Sequence, residues 1–262
     1  MRAVTEHPLE RHLRTRMDAG GKALVPYVTA GLEAVDPALL RAIEGAGADA
    51  LEIGIPFSDP VMDGPVIQEA SQRSLARGTR PADAMGLVAD AELRIPVLLM
   101  TYLNPVLAAG EETFLADAAS AGVAGVIVPD LPVDEADDWR EACGRAGVAS
   151  VFLAAPATGE DRLRLIAEAS EGFVYCVSTY GVTGARDVLA GASRDVVEAL
   201  RSLTDKPLLV GVGISTPEIA AQACGFADGV VVGSSLVRTL LENSGDPAGL
   251  VARFREGIDR GP

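Results

Sequence analysis

The chain has 262 residues, with 37 acidic and 22 basic side chains and a formal net charge of −15. That balance argues against nucleic acid and anionic membranes as partners, because both call for a basic surface. No run approaches the ~18–20 apolar residues of a membrane helix, and the charged start MRAVTEHPLERHLRTR lacks the apolar stretch of a secretory signal, so the sequence reads as a soluble, cytosolic protein.

In chain order, a helix is predicted over 8–19, followed by short apolar, β-branched runs that alternate with helix-like segments. Strands are predicted near 23–29, 49–55, 96–101, 123–128, 149–154, 172–177, 207–212 and 228–232. Their near-continuous apolar character suits strands covered on both faces. Helical periodicity falls over 36–46, 66–77, 82–93, 111–121, 134–146, 159–170, 193–203 and 216–225. Asp36-Pro37 and Thr216-Pro217 place a capping side chain before a proline at the first helical position, while Gly122 and Gly147 follow helices as stops. Eight strand–helix units with no domain-sized linker predict one α/β domain over 1–262, a (β/α)8 TIM barrel with an extra N-terminal helix. A doubly wound open sheet satisfies the same alternation, though less naturally at eight strands. Two connections are long, and βα loops carry function in barrels, so 56–66 and 178–192 are the expected active-site loops.

Scarcity narrows the chemistry. The two histidines, His7 and His12, both lie near the N-terminus, and Cys143, Cys176 and Cys224 are far apart with no metal-ligand spacing. A histidine triad and a histidine-ligated metal are therefore unexpected. The only lysines, Lys22 and Lys206, precede strands, on the face opposite a barrel's active-site mouth, where neither can form a Schiff base with substrate. No G-x-G-x-x-G opens a helix after the first strand, which disfavours a nicotinamide enzyme. Carboxylates, hydroxyls and backbone amides remain.

Glu52 is the anomaly among them. Its neighbours Leu51 and Ile53 would face the helices, and period-two alternation then turns Glu52 into the barrel. A buried carboxylate without a partner is costly as an anion, so its pKa should rise toward the range useful for acid–base work. The competing explanation is a structural acid paired with a buried arginine, but no arginine lies inside a predicted strand. In the following loop, Ser58-Asp59-Pro60 reads as a turn with Asp59 bonding local amides, and Asp63 is either a helix-capping residue or a second carboxylate opposing Glu52. Gly181–Arg186, Gly211–Ser215 and Gly233–Ser235 follow adjacent strands six, seven and eight, and a short helix beginning near Ser234 would add its positive end. Together they suggest a phosphate site of neutral backbone donors, which lets an acidic protein bind an anionic substrate.

LEIGIPFSDPVMDGPVIQ (51–68) resembles the signature segment of the tryptophan synthase α chain family. The likeness continues through LMTYLNPVL (99–107), GVIVPDLPVDE (125–135), GFVYCVSTYGVTGAR (172–186), VGVGIS (210–215) and ADGVVVGSSLV (227–237). It implies a (β/α)8 lyase that cleaves indole-3-glycerol phosphate by a retro-aldol reaction. It further implies Glu52 as the acid–base residue, Asp63 on the indole N–H and Tyr175 as an active-site tyrosine. The implied phosphate ligands are Gly184, Gly213, Gly233 and Ser234, with Ser235 adjacent. The implied indole pocket comprises Tyr27, Met100, Ile127, Leu153, Thr183 and Val212, although plain barrel packing accounts for most of these as well. The resemblance also implies a β-chain partner in an α2β2 assembly, facing 56–63, 102–105 and 130–135. Pyridoxal phosphate is expected in that partner alone, leaving this chain without cofactor or metal. The pattern departs from the family at 29–37 and at Ser178-Thr-Tyr180. A freestanding indole-producing lyase, or an interaction subunit that mainly activates a β chain, fits the same sequence.

Overall fold

A computed structural model describes residues 6–177 and 186–261, the side chains of 186–190 excepted. Helix α1 (Pro8–Asp18) precedes β1 (Ala23–Thr29), α2 (Pro37–Gly45), β2 (Leu51–Gly54), α3 (Pro65–Ala76), α4 (Pro81–Ala91) and β3 (Val97–Met100). Next come α5 (Leu103–Ala109), α6 (Glu111–Ser120), β4 (Val123–Ile127), a 3-10 turn (Val133–Glu135), α7 (Asp137–Ala146), β5 (Ala149–Val151) and β6 (Leu153–Ala154). The chain continues through α8 (Glu160–Ala169), β7 (Val174–Cys176), α9 (Arg186–Arg201), β8 (Leu208–Val210), α10 (Pro217–Cys224), β9 (Gly229–Val232), α11 (Ser234–Leu241) and α12 (Pro247–Arg260).

All pairings are parallel, in the order β5-β4-β3-β2-β1-β9-β8-β7-β6. The two ends of that series, β5 and β6, are halves of the fifth predicted strand, interrupted only at Phe152. Hydrogen bonding runs through the break, with Tyr175 N donating to Phe152 O at 3.0 Å and Val177 N to Ala154 O at 2.9 Å. The sheet therefore closes on itself as the expected barrel, and the open-sheet alternative falls away. At the β1–β9 seam a Cβ on Gly229 would stand 2.5 Å from the Ala23 carbonyl oxygen, so only glycine allows that approach.

Two apolar layers follow from strand alternation. Leu24, Val28, Leu51, Ile53, Leu99, Val126 and Val230 pack outward against the helices. Val25, Leu98, Ile127, Val151, Phe173, Leu209 and Val231 fill the barrel, and Leu9 and Leu13 of α1 join that inner cluster. With Leu51 and Ile53 in the outer layer, Glu52 points inward, in register between Tyr27 and Leu98. The predicted caps form, with Asp36 accepting from Leu39 N at 2.8 Å and Thr216 from Ile219 N at 3.4 Å. Gly122 and Gly147 take φ of +88° and +70° just past their helices.

Three features depart from the sequence reading. Of the predicted loop 178–192, residues 178–185 lie outside the described residues, and the remainder joins the predicted helix 193–203 in one helix, Arg186–Arg201, since Gly191 costs only about 1 kcal/mol inside a helix and does not end it. Helix α12 was absent from the predicted elements, although Asp246-Pro247 repeats the cap-and-proline signal and Leu250, Val251, Phe254 and Ile258 keep helical spacing. Helix α5 is two turns long and carries Pro105 in its first turn, too short for periodicity to reveal. Among the described residues no helix is long and apolar enough to cross a membrane.

Candidate active site

On β2, Glu52 is 1% exposed, and neither carboxyl oxygen finds a hydrogen-bond partner among the described residues. Among the described residues no arginine neutralises it, and burial, reinforced by the nearby Asp63 charge, pushes its pKa up to about 8. A carboxyl in that condition holds its proton at neutral pH and can donate it.

The loop after β2 brings Asp63 to the same region. Gly64 is the N-cap of α3, so Asp63 is not the helix cap that its position allowed. Its carboxylate instead accepts from the Tyr102 hydroxyl at 3.1 Å, while Gln68 Nε2 donates to its backbone carbonyl at 2.9 Å. Burial raises the Asp63 pKa to about 6, and the Tyr102 hydrogen bond opposes the rise. Asp59 accepts from the Ser58 hydroxyl at 2.6 Å, where the sequence suggested backbone amides. The two carboxyls thus titrate on opposite sides of neutrality.

Two tyrosines flank them. Tyr27 lies against Gly54, where a methyl group would collide with its hydroxyl, and Thr29 donates to that hydroxyl at 3.5 Å. Tyr175 lies against Gly211 in the same manner. Burial drives both phenols well above their ordinary pKa, and the charges of Glu52 and Asp63 add to the shift in each. Both remain neutral, polar-tipped walls.

The other expected site residues are distributed as follows. Met100 and Leu153 are half-buried and pack on the inner barrel cluster, to which the fully buried Ile127 belongs. Val212 is 37% exposed on the turn after β8. Gly213, in the same turn, has φ of +86° and open space around it. Gly233 is the N-cap residue of α11, which starts at Ser234, and the buried Ser235 hydroxyl has no partner among the described residues. The positive end of α11 and the Gly213 turn follow adjacent strands, β9 and β8, a suitable arrangement for an anion. Thr183 and Gly184 lie outside the described residues.

The lysines are engaged elsewhere. Lys22 donates to Ala227 O at 2.7 Å, and Lys206 donates to the carbonyls of Ala167, Glu168 and Ser170. Among the described residues no cluster of three or more His, Cys, Asp or Glu side chains is arranged to hold a metal ion. The sequence reading placed Tyr102 only within a partner-facing segment and missed its link to Asp63. No local pattern signals a hydrogen bond across 39 residues.

A parallel βα barrel with two carboxyls of raised pKa, one inside strand β2 and one on the loop that follows it, has the features of an acid–base enzyme built on the TIM-barrel plan. Comparison with known proteins gives the family. The family profile described as "Tryptophan synthase alpha chain" matches residues 13–259. The tryptophan synthase alpha chain of Streptomyces avermitilis is 46% identical over 237 residues, covering 89% of this chain and 86% of the relative. That of Gloeobacter violaceus is 48% identical over 224 residues, covering 83% and 81%. Among solved structures, a chain of Mycobacterium tuberculosis tryptophan synthase superposes with a TM-score of 0.90 at 36% identity, covering 97% of this chain and 98% of that one. The alpha chain of Legionella pneumophila gives 0.86 at 33% identity, covering 98% of each. The chain belongs to the tryptophan synthase alpha chain family, the lyases that cleave indole-3-glycerol phosphate to indole and glyceraldehyde 3-phosphate.

Proposed function

We propose that this chain, as a single barrel domain, performs that cleavage with Glu52 as the acid–base residue and Asp63 as the partner of the indole N–H. The observation that carries the assignment is Glu52 itself, a fully buried carboxyl with no hydrogen-bond partner among the described residues and a pKa near 8. In the retro-aldol step Glu52 donates its proton to indole C3, making the ring an iminium-like electron sink. Asp63 stabilises the charge that develops on the ring N–H, an interaction strengthened by partial burial. The glycerol hydroxyl next to the ring then loses its proton to the Glu52 carboxylate. The O–H electrons form the aldehyde C=O, and the electrons of the broken C–C bond return to the ring. One proton enters at carbon and one leaves oxygen, so Glu52 ends as it began and no water or oxidant enters the balance.

In this reading Tyr27, Met100, Ile127, Leu153, Tyr175, Thr183 and Val212 surround the indole ring. Gly213, Gly233, Ser234, Ser235 and Gly184 hold the phosphate through backbone and hydroxyl donors. The alpha chain needs no cofactor for this chemistry, and pyridoxal phosphate belongs to a β chain in a cytoplasmic α2β2 assembly. Val61 on the Asp63 loop and Leu107 on α5 support a partner at this rim, being 77% and 55% exposed.

The test is steady-state release of indole from indole-3-glycerol phosphate by the pure chain, with and without a cognate β chain. Slow basal cleavage strongly accelerated by the β chain is expected, because placing Asp63 about 1 Å better is worth on the order of 10²-fold in rate. Fast cleavage indifferent to any β chain would identify a freestanding lyase. Absence of cleavage in both conditions, with β-chain activity enhanced, would identify an interaction subunit.

A further inference from the structure

We infer that Tyr102 is a positioning residue that fixes the Asp63 carboxylate toward the ring nitrogen before substrate arrives, an inference that rests on the role proposed for Asp63. The segment between β2 and α3 has no regular secondary structure, and its internal ties are two tight turns, Val61 N to Asp59 O at 2.9 Å and Asp63 N to Pro60 O at 3.0 Å. Those turns hold the backbone of the loop but not the Asp63 side chain. Tyr102 supplies what is missing. Its hydroxyl donates to Asp63 Oδ2 at 3.1 Å and accepts from Met62 N at 3.1 Å, so one oxygen grips the side chain and the adjoining main chain together. Its ring stacks on Phe57, centroids 5.1 Å apart and planes 29° apart, which ties down the start of the same loop. With Oδ2 engaged, Oδ1 is, among the described residues, the oxygen left to receive a ring N–H.

Tyr102 is itself held. It is 3% exposed and sits at the N-cap of α5, whose first amide, Leu103 N, donates to Asp130 Oδ1 at 2.9 Å. The support therefore runs from the loop after β4, through the first turn of α5, to Asp63. Asp63 shares its surroundings with Glu52 of β2, Tyr27 of β1, Tyr175 of β7 and Tyr102, and Asp130 adds a charge behind Tyr102. Of these groups only Tyr102 donates a hydrogen bond to the Asp63 carboxylate among the described residues.

The experiment compares wild type, Tyr102→Phe, Asp63→Asn and the double variant in cleavage of indole-3-glycerol phosphate across pH, with affinity for glycerol 3-phosphate measured alongside. Phenylalanine keeps the stacking on Phe57 and removes one oxygen. The expected result is a fall of about 10–100-fold in kcat with phosphate affinity unchanged. The acid limb of kcat/KM should move upward by roughly half to one pH unit, because a donor to the ionised Asp63 has been lost. In the Asp63→Asn background, Tyr102→Phe should add little. Asp130→Ala, an exposed change that removes the acceptor of the first α5 amide, should lower kcat by less with phosphate affinity unchanged, and provides the test if Tyr102→Phe does not fold. Wild type active and Asp63→Asn impaired, with an unmoved acid limb and kcat within about twofold in Tyr102→Phe, would overturn the role of Tyr102 alone. Full activity of Asp63→Asn, or an inactive wild type, would overturn the Asp63 assignment and this inference with it.

Discussion

Replacing Glu52 by glutamine should stabilise the fold while disabling the site, and the pH dependence of the gain follows from the structure. The carboxyl has an ordinary pKa of 4.5 and a folded value of about 8, because burial without a partner disfavours its charged form. Below pH 4.5 folded and unfolded chains both carry the proton, and Glu52 costs nothing in this respect. As pH rises from 4.5 toward 8 the unfolded chain ionises and the folded chain does not, so stability declines by about 1.4 kcal/mol per pH unit. The accumulated cost is under about 1 kcal/mol at pH 5, about 3 kcal/mol at pH 7, and about 4–5 kcal/mol above pH 8. Glutamine is nearly isosteric and does not titrate, so it escapes this cost. Urea unfolding of the two proteins at about pH 5, 7 and 8.5 measures the gap. Trp139, the only tryptophan and a buried one, reports the transition by fluorescence. A lead for the variant that widens with pH is expected. A gap that stays constant across pH, or a variant less stable throughout, would show that Glu52 is not held neutral in the barrel.

Two further outcomes follow from the same geometry. The kcat/KM profile should be bell-shaped, rising near pH 6 as Asp63 ionises and falling near pH 8 as Glu52 loses its proton, and a plateau running unbroken well beyond pH 8 would remove Glu52 as the acid. Gly233→Ala should fold normally, since its Cβ would meet Tyr27 only at an ordinary 3.6 Å, yet bind glycerol 3-phosphate more weakly by obstructing close approach to the α11 amides; calorimetric titration showing unchanged affinity would move the phosphate elsewhere.

Much of this arrangement was legible because it depends on short-range rules. Leu51 and Ile53 have one place to go in a βα barrel, and the alternation they set leaves Glu52 facing inward. Asp36 and Thr216 announce their helices by chemistry within three residues. The features that escaped depend on distance or on competing signals. The interruption at Phe152 arises where one strand serves two neighbours, β4 through its first half and β7 through its second, and its own sequence carries no break. Helix α9 takes in part of the expected loop 178–192, because an interior glycine such as Gly191 does not end a helix. Tyr102 was visible only as part of a segment, because its hydroxyl meets a partner that the fold, and not the local sequence, brings near.

The central claim is that Glu52 and Asp63 act as one device in cleaving indole-3-glycerol phosphate. Its most direct test is the rate of that cleavage by wild type, Glu52→Gln, Asp63→Asn and the double variant, each confirmed folded and able to bind glycerol 3-phosphate. Each single change should remove most of the activity, with Glu52→Gln losing about 10²–10⁴-fold, the usual worth of a positioned acid–base group. The double variant should be little worse than the more impaired single, since groups that serve one transition state do not contribute independently. Near-wild-type turnover by the Glu52→Gln enzyme would contradict the account.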